Sequence, residues 1–381
     1  MDTTEQRAWA TINLQALKKN LGLVKSQCPE SRIVPVIKAN AYGHGMVPVA
    51  RALAATNSRV AGFAVATLDE ALELAALELG VPVILLSGFR NDAELSEILA
   101  RGIEPVVHSL WQVTSLQRHF DGDFFAGCLK LWIKHNSGMN RLGMSSGTCL
   151  EAFPALHRFP DTELVLMSHL ACADDLESST AKAVTHKQLA EFSGLRQRLM
   201  QFTNAAVDCS FAASAGILSW PDTHYQYVRP GIMLYGGSPM AHATGDELGL
   251  QPVMTLKARL LAINEVKAGG TIGYGARHVC KQTTLVGVVG IGYGDGYPRA
   301  AVDGTPVLVH SDGRTHRTSL IGRVSMDMIT VDLTPIANAQ VGDEVTLWGE
   351  GLSADEVARN ADTISYELFC QVTNRVRREY R

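Results

Sequence analysis

The feature that most constrains this chain is an alternation of short apolar, β-branched runs with helical patterns over roughly its first 240 residues. Residues 33–39 (IVPVIKA), 60–66, 82–87, 104–108, 128–133, 163–167, 209–213 and 227–233 read as strands. Helical patterns at 47–55, 68–80, 92–101, 110–119 and 181–203 fall between them, and Thr67 and Glu70 have the spacing of a capping box. Strands that alternate with helices pair in parallel. About eight such units close naturally into a (β/α)8 barrel, which takes about 250 residues. A doubly wound open sheet is the competing architecture, but no GxGxxG follows the first strand.

The rhythm ends at SPMAHATGDELG, residues 238–249. Beyond it the runs at 253–263, 284–291, 306–310, 329–333 and 344–348 read as strands, and Gly269–Gly270 and Asp312–Gly313 are hairpin turn signals. The fold expected is therefore α/β: a TIM-like barrel over 1–244, then a mainly β domain over 245–381. Ser353 and Glu356 repeat the capping-box spacing before one short helix. The basic end, NRVRREYR, reads as a solvated tail.

Composition narrows the function. The formal charge of −4 argues against a broad nucleic-acid or anionic-membrane surface. No run of about 18 apolar residues is present. No basic stretch followed by an apolar core opens the chain, so a cytoplasmic location is expected. Seven scattered cysteines without a CxxC suggest a reducing compartment, and no metal site is expected.

VIKANAYGHG, residues 36–45, carries the first chemical signal. Lys38 falls at the C-terminal end of an apolar strand, the end at which barrel active sites form. Desolvation there lowers an amine pKa and makes a nucleophile. From position alone, a strand-end lysine reaching for solvent is the favoured reading of Lys38. The polar and permissive residues Asn40, Tyr42, Gly43, His44 and Gly45 favour a site.

This segment resembles the pyridoxal 5′-phosphate (PLP) lysine motif of the alanine racemases. KHNSGMNRLG (134–143), MSHLACADD (167–175), VRPGIMLYG (228–236), IGYGARH (272–278), GYGDGYPR (292–299) and GRVSMDM (322–328) resemble the same family in the same order. The likeness runs from about residue 8 to about 375, and NSGMNRLG is most similar to the family's catabolic branch.

The resemblance implies a PLP-dependent homodimer that interconverts L- and D-alanine. Lys38 would bind PLP covalently and later act as a proton-transfer base on the D-enantiomer. Tyr274, from the partner subunit, would be the second base, acting on the L-enantiomer; racemisation needs a proton removed from one face and delivered to the other. A nearby arginine or histidine must lower the pKa of such a tyrosine. Tyr42, Ser214, the amides of Gly231 and Ile232, and Tyr366 would hold the phosphate. Arg229 would donate to the pyridine nitrogen and His169 would pack on the ring. Arg141 and the Met326 amide would bind the substrate carboxylate, and Lys134 would be the carbamylated lysine. Asp174, Tyr293, Arg299, Arg323 and Asp327 would line the entrance.

Arg277 and His278, after Tyr274–Gly275–Ala276, stand where the family more usually has Thr or Arg and an aromatic residue, and two further positions depart from it. Ala213 stands where Asn usually precedes the phosphate-binding serine, and Ser210 where many relatives have His. By the resemblance both would fall in the surroundings of Arg229, and they leave open the alternative of a racemase for serine or a broader range of amino acids. A barrel-type PLP decarboxylase needs an acidic partner at the pyridine nitrogen, which Arg229 opposes. A non-catalytic PLP carrier resembles a barrel alone, without the β domain.

Overall fold

The structure, a computed structural model, describes residues 6–56, 59–122, 129–159 and 162–381. The chain opens with β1 (Ala8–Ile12) and a helix, Leu14–Gln27, whose N-cap Asn13 accepts from the amides of Gln15 and Ala16. Eight parallel strands follow: β2 (Arg32–Ile33), β3 (Phe63–Val65), β4 (Val83–Leu85), β5 (Glu104–Val107), β6 (Leu129–Lys134), β7 (Thr162–Met167), β8 (Asp208–Ala213) and β9 (Tyr227–Arg229). They pair in sequence order, and β9 returns to β2. Parallel bridges Ile33–Val60 and Val36–Ala64 close the sheet between β2 and β3, so the expected (β/α)8 barrel is formed.

The helices that separate the strands include Met46–Ala54, Leu68–Ala75, Asp92–Ala100, Leu110–Gly122 and Ser179–Thr203, within a few residues of the expected segments. Thr67 and Glu70 form the capping box their spacing predicts. The helix Ser146–His157 is absent from the sequence reading; its buried Cys149, Ala152, Phe153 and Leu156 do have helical spacing, but Pro154 lies inside it and argues against a helix. Cys128, expected to open the sixth strand, lies outside the described residues.

The second half is mainly β, as expected. It holds β10 (Met254–Val266), β11 (Thr271–Ile272), β12 (His278–Val279), β13 (Thr284–Val289), β14 (Pro306–Ser311), β15 (Arg314–Ser319), β16 (Ile329–Asp332), β17 (Glu344–Trp348) and β18 (Arg377–Tyr380). Asp312 and Gly313 form the two-residue turn between β14 and β15, both with positive φ. Ser353 caps its helix through the amide of Asp355, while Glu356 turns away to pair with Arg317.

Two features depart from the sequence reading. First, β1 pairs antiparallel with β10, so residues 8–12 belong to the β sheet although they precede the barrel. Second, the basic C-terminus is no solvated tail. Residues 377–380 pair in parallel with β1, and Arg378 reaches back to the barrel. Local charge hid this strand, because its partner is more than 360 residues away in sequence. One continuous apolar core, from Ile12 and Leu17 through the barrel to Trp348 and Val376, joins the two halves.

The N-terminal end of a barrel is its stabilising face. Glu104 opens β5 there, 8% exposed, and its carboxylate accepts from Trp132 Nε1 at 2.8 Å. Burial raises its pKa from 4.5 to about 7, against the lowering effects of Trp132 and Lys130. Between those values the native state binds more protons than the unfolded chain. The stability contributed by the neutral carboxyl is therefore full below about pH 4.5 and is lost as pH rises through about 7. Glu104→Gln should match the wild type at pH 5 and exceed it at pH 8 by about 2 kcal/mol. Denaturant titrations at the two pH values measure this; identical pH dependence in both proteins would remove Glu104 as the cause.

Candidate active site

The barrel strand that carries the lysine motif ends before the lysine: β2 stops at Ile33 and only an isolated bridge at Val36 continues the pairing. Lys38 does not extend it but begins a tight turn, in which Ala39, Asn40, Ala41 and Tyr42 all have φ between 50° and 54°. Such left-handed residues cost about 1–2 kcal/mol each, so the turn must be held from outside. Glu70 does part of this: one carboxylate oxygen accepts from the Ala39 amide at 2.6 Å, while the other caps its helix through Ala66 and Thr67. Asn40 Oδ1 accepts from the Met46 amide at 2.8 Å. His44 is fully buried and its pKa falls to about 4 through desolvation, so the neutral ring donates from Nδ1 to the Tyr42 carbonyl. The capping-box spacing revealed Glu70 as a cap; nothing in the sequence showed that it also holds the lysine turn.

Around this turn the C-terminal ends of the barrel strands bring cations together. Lys134 ends β6, His169 follows β7 and Arg229 ends β9. The Lys38 pKa is lowered by burial and then by Arg141, with Glu70 and Cys370 acting in the opposite sense. Lys134 is pushed well below the usual amine value by burial, then by Arg229, Arg141 and Lys38. Burial, followed by the same cations led by Lys134, keeps His169 neutral. Arg229 is 4% exposed, and desolvation lowers its pKa to about 10. Its guanidinium donates to Ser210 Oγ at 2.5 Å, to the Ser168 carbonyl at 2.6 Å and to the Phe211 carbonyl at 3.3 Å. Among the described residues, none of Lys38, Lys134, Arg141 and Arg229 has a carboxylate at ion-pair distance. A pocket so built is made for an anion.

Beside the cations lies a group of hydroxyls and amides. Ser214 Oγ accepts from the amides of Gly231 at 2.9 Å and Met233 at 3.4 Å. Ile232, expected beside Gly231, begins a short 3-10 turn. Ala213 is the N-cap of the helix Ser214–Ser219 and makes no side-chain cap. A Cβ at Gly231 would lie 2.7 Å from the Tyr42 hydroxyl, so glycine opens space beneath that phenol. Tyr42 packs against Tyr235 and Tyr366, with centroids 4.9 and 6.0 Å away. Burial raises the pKa of Tyr42 and of Tyr366, the latter also through Tyr42 and Asp174, so both hydroxyls keep their protons and can donate.

The remaining residues gather on loops of the β domain. Tyr274 starts a 3-10 turn between Gly273 and Gly275, is 71% exposed, and makes no side-chain hydrogen bond among the described residues. Arg323 lies against that turn, its guanidinium 3.7 Å from where a Gly275 Cβ would be. The amides of Tyr293 and Gly294 donate to the carbonyls of Ser325 and Met326, which joins the Tyr293 and Met326 loops. Asp327 is held by Arg375 at 2.6 Å, and its carbonyl accepts from Arg7. Arg7 and Arg375 also converge on the fully buried Asp295. These tethers escaped the sequence reading because they are non-local: the Arg7 contacts join residues 288 and 320 apart, and Arg375 reaches Asp327 across 48. Arg299 is exposed on the same loop as Tyr293.

Comparison with known proteins agrees with this geometry. The alanine racemase N-terminal domain matches residues 12–239 and the alanine racemase C-terminal domain matches 253–380. An alanine racemase from Vibrio cholerae is 43% identical over 375 residues, 98% of both chains; one from Pseudomonas taetrolens is 44% identical over 374. The crystal structure of a biosynthetic alanine racemase from Pseudomonas aeruginosa superposes with a TM-score of 0.89 at 40% identity, covering 99% of each chain. An alanine racemase from Bartonella henselae, with covalently bound pyridoxal phosphate, superposes at 0.84 and 30% identity over 99% of this chain and all of that one. The barrel that presents Lys38, the β domain that presents Tyr274 and these full-length matches lead to one conclusion: this chain belongs to the alanine racemase family, whose members depend on PLP.

Proposed function

We propose that the protein interconverts L- and D-alanine with PLP, as a homodimer whose two active sites each use residues from both subunits. The observation that carries this reading is the cluster of Lys38, Lys134, Arg141 and Arg229 without an ion-paired carboxylate among the described residues. The residues present fit the cofactor. Lys38 offers a desolvated amine for its aldehyde. Tyr42, Tyr366, Ser214 and the space above Gly231 suit a phosphate, with amide donors at Gly231 and Ile232 beside it. Arg229 faces the pocket as a pure donor suited to the pyridine nitrogen. The cytoplasm and the division near residue 244 remain part of the reading, with β1 assigned to the second domain.

When bound, PLP withdraws electrons from the Cα of an attached amino acid and so acidifies its hydrogen. The chain must then move one proton between two faces. Lys38 Nζ holds the proton on the face of the D-enantiomer. Tyr274 Oη of a second copy holds it on the opposite face, for the L-enantiomer. Arg229, always cationic, keeps a proton off the pyridine nitrogen. That limits charge delocalisation into the ring and favours return of the proton to Cα. His169, held neutral, packs on the ring without adding charge. Arg141 pairs with the substrate carboxylate, joined by the Met326 amide from the second copy. The buried Lys134 amine, disposed to be neutral, reacts with carbon dioxide to give a carbamate and a proton. The carbamate then orients Arg141. Asp174, Tyr293, Arg299, Arg323 and Asp327 flank the entry path.

Exposure supports the homodimer reading. Tyr274, Val279, Met326 and Met328 are apolar residues left 44–71% exposed on the β domain. An apolar patch of this kind calls for a protein partner, and a two-fold dimer would seat each patch over the other barrel.

Lys38→Ala should abolish the visible absorbance of bound PLP; a retained band would refute the cofactor assignment. In Tyr274→Ala, exchange of the α-proton of L-alanine with solvent should fall about a hundredfold or more, with D-alanine exchange much less affected. Equal losses would contradict the division of labour. Mixing the two inactive variants and allowing subunits to exchange should restore activity at up to about a quarter of the sites. No recovery, with exchange verified, would place both bases in one chain.

A further inference from the structure

The C-terminal strand touches the lysine turn directly. Arg378, on β18, donates from Nε to the Gly43 carbonyl at 2.6 Å. The same guanidinium donates to the carbonyls of Val372 at 2.8 Å and Val376 at 3.5 Å. It is half-buried, and among the described residues it has no carboxylate partner. Gly43 closes the left-handed turn with φ 77°, and a Cβ there would lie 2.0 Å from the Phe369 carbonyl. A Cβ at Gly45 would lie 2.0 Å from the Tyr380 hydroxyl. The chain end from 365 to 380 therefore packs on the turn at three points: the helix Ser365–Gln371, Arg378 and Tyr380.

We propose that Arg378 is a positioning residue for cofactor binding: it locks the Lys38–Gly45 turn to the end of the β domain and thereby fixes Lys38 and Tyr42 over the barrel rim. Gly43 is buried, so its carbonyl would be unsatisfied without this donor. The other two acceptors lie in the β domain, so one planar group spans both halves of the molecule. A lysine has no fork with which to hold three carbonyls at once. Glu70, Asn40 and His44 hold the turn from the barrel side, whereas Arg378 holds it from the β domain, making the lysine turn depend on how that domain docks.

The inference rests on the reading that Lys38 and Tyr42 hold PLP, but its first test does not require the cofactor. Full-length Arg378→Met, Arg378→Lys and Arg377→Met are compared. In cofactor-free protein, amide hydrogen exchange across residues 36–46 should accelerate roughly tenfold in Arg378→Met, while exchange in the barrel strands stays as in the wild type. PLP binding should weaken by about the same factor. Arg378→Lys should recover part of both effects, and Arg377→Met, altering an exposed neighbour on the same strand, should match the wild type. Unchanged exchange at 36–46, exchange raised uniformly along the chain, or equal effects in Arg377→Met would each overturn the proposal. If the wild-type protein fails to bind PLP, the proposed function falls, and the exchange measurement still decides whether Arg378 holds the turn.

Discussion

Positive charge concentrated at one end of a barrel is the constraint around which this molecule is arranged. A fully desolvated guanidinium with only neutral acceptors is costly to bury. Arg229 is in that state, with Lys38, Lys134 and Arg141 near enough to shift their neighbours' titration. No carboxylate of the described chain pairs with them. Loss of a proton from Lys134 relieves part of their mutual repulsion, and an anionic ligand would relieve the rest. This is why the site reads as a cofactor and substrate pocket instead of a structural ion-pair network: a network would have acquired its own counter-charges.

The same constraint gives a reason for the proposed division into two half-sites. The barrel can supply cations, hydroxyls and a desolvated amine on one side of a flat ring. It cannot readily reach over the ring to supply a group on the other side. On the function proposed above, the loops carrying Tyr274, Met326 and Tyr293 would meet that need from the β domain of a second copy, because Tyr274 projects into solvent within its own chain. The Tyr293 and Met326 loops are tied together around the buried Asp295, on which Arg7 from the N-terminal end and Arg375 from the C-terminal end both converge. Charges that would repel elsewhere are here compensated, in contrast to the rim of the barrel.

Much of the architecture was legible because a barrel is built from local signals. Each strand is a short apolar run and each helix has its own cap, as Thr67 and Glu70 illustrate. Lys38 was legible because its surroundings, Asn40 to Gly45, depart so strongly from an ordinary strand-to-helix connection. What stayed hidden was non-local. The strand β1 looks like the start of the barrel until its partner β10 is known. Arg378 looks like one of several solvated cations until its acceptor, Gly43, is known. The left-handed turn itself was unreadable, since Ala39 and Ala41 have no preference for such a conformation and adopt it only because Glu70, His44 and Arg378 hold the backbone.

The departure at Ser210 has a definite physical consequence. The hydroxyl accepts from the Arg229 guanidinium at 2.5 Å while donating to the Tyr227 carbonyl at 3.0 Å. All of its hydrogen-bonding capacity toward the arginine is thus as an acceptor, and it carries no charge at any working pH. A histidine at this place, as the family resemblance implies for many relatives, titrates near neutrality and can become a second cation beside the first. With serine, together with the carbonyls of Ser168 and Phe211, every partner of Arg229 is neutral and fixed. The electrostatic potential at the end of β9 therefore does not vary through this contact as pH changes. The nearby ring, His169, is kept neutral by the surrounding cations, so the two positions from which an imidazolium could perturb Arg229 are both closed.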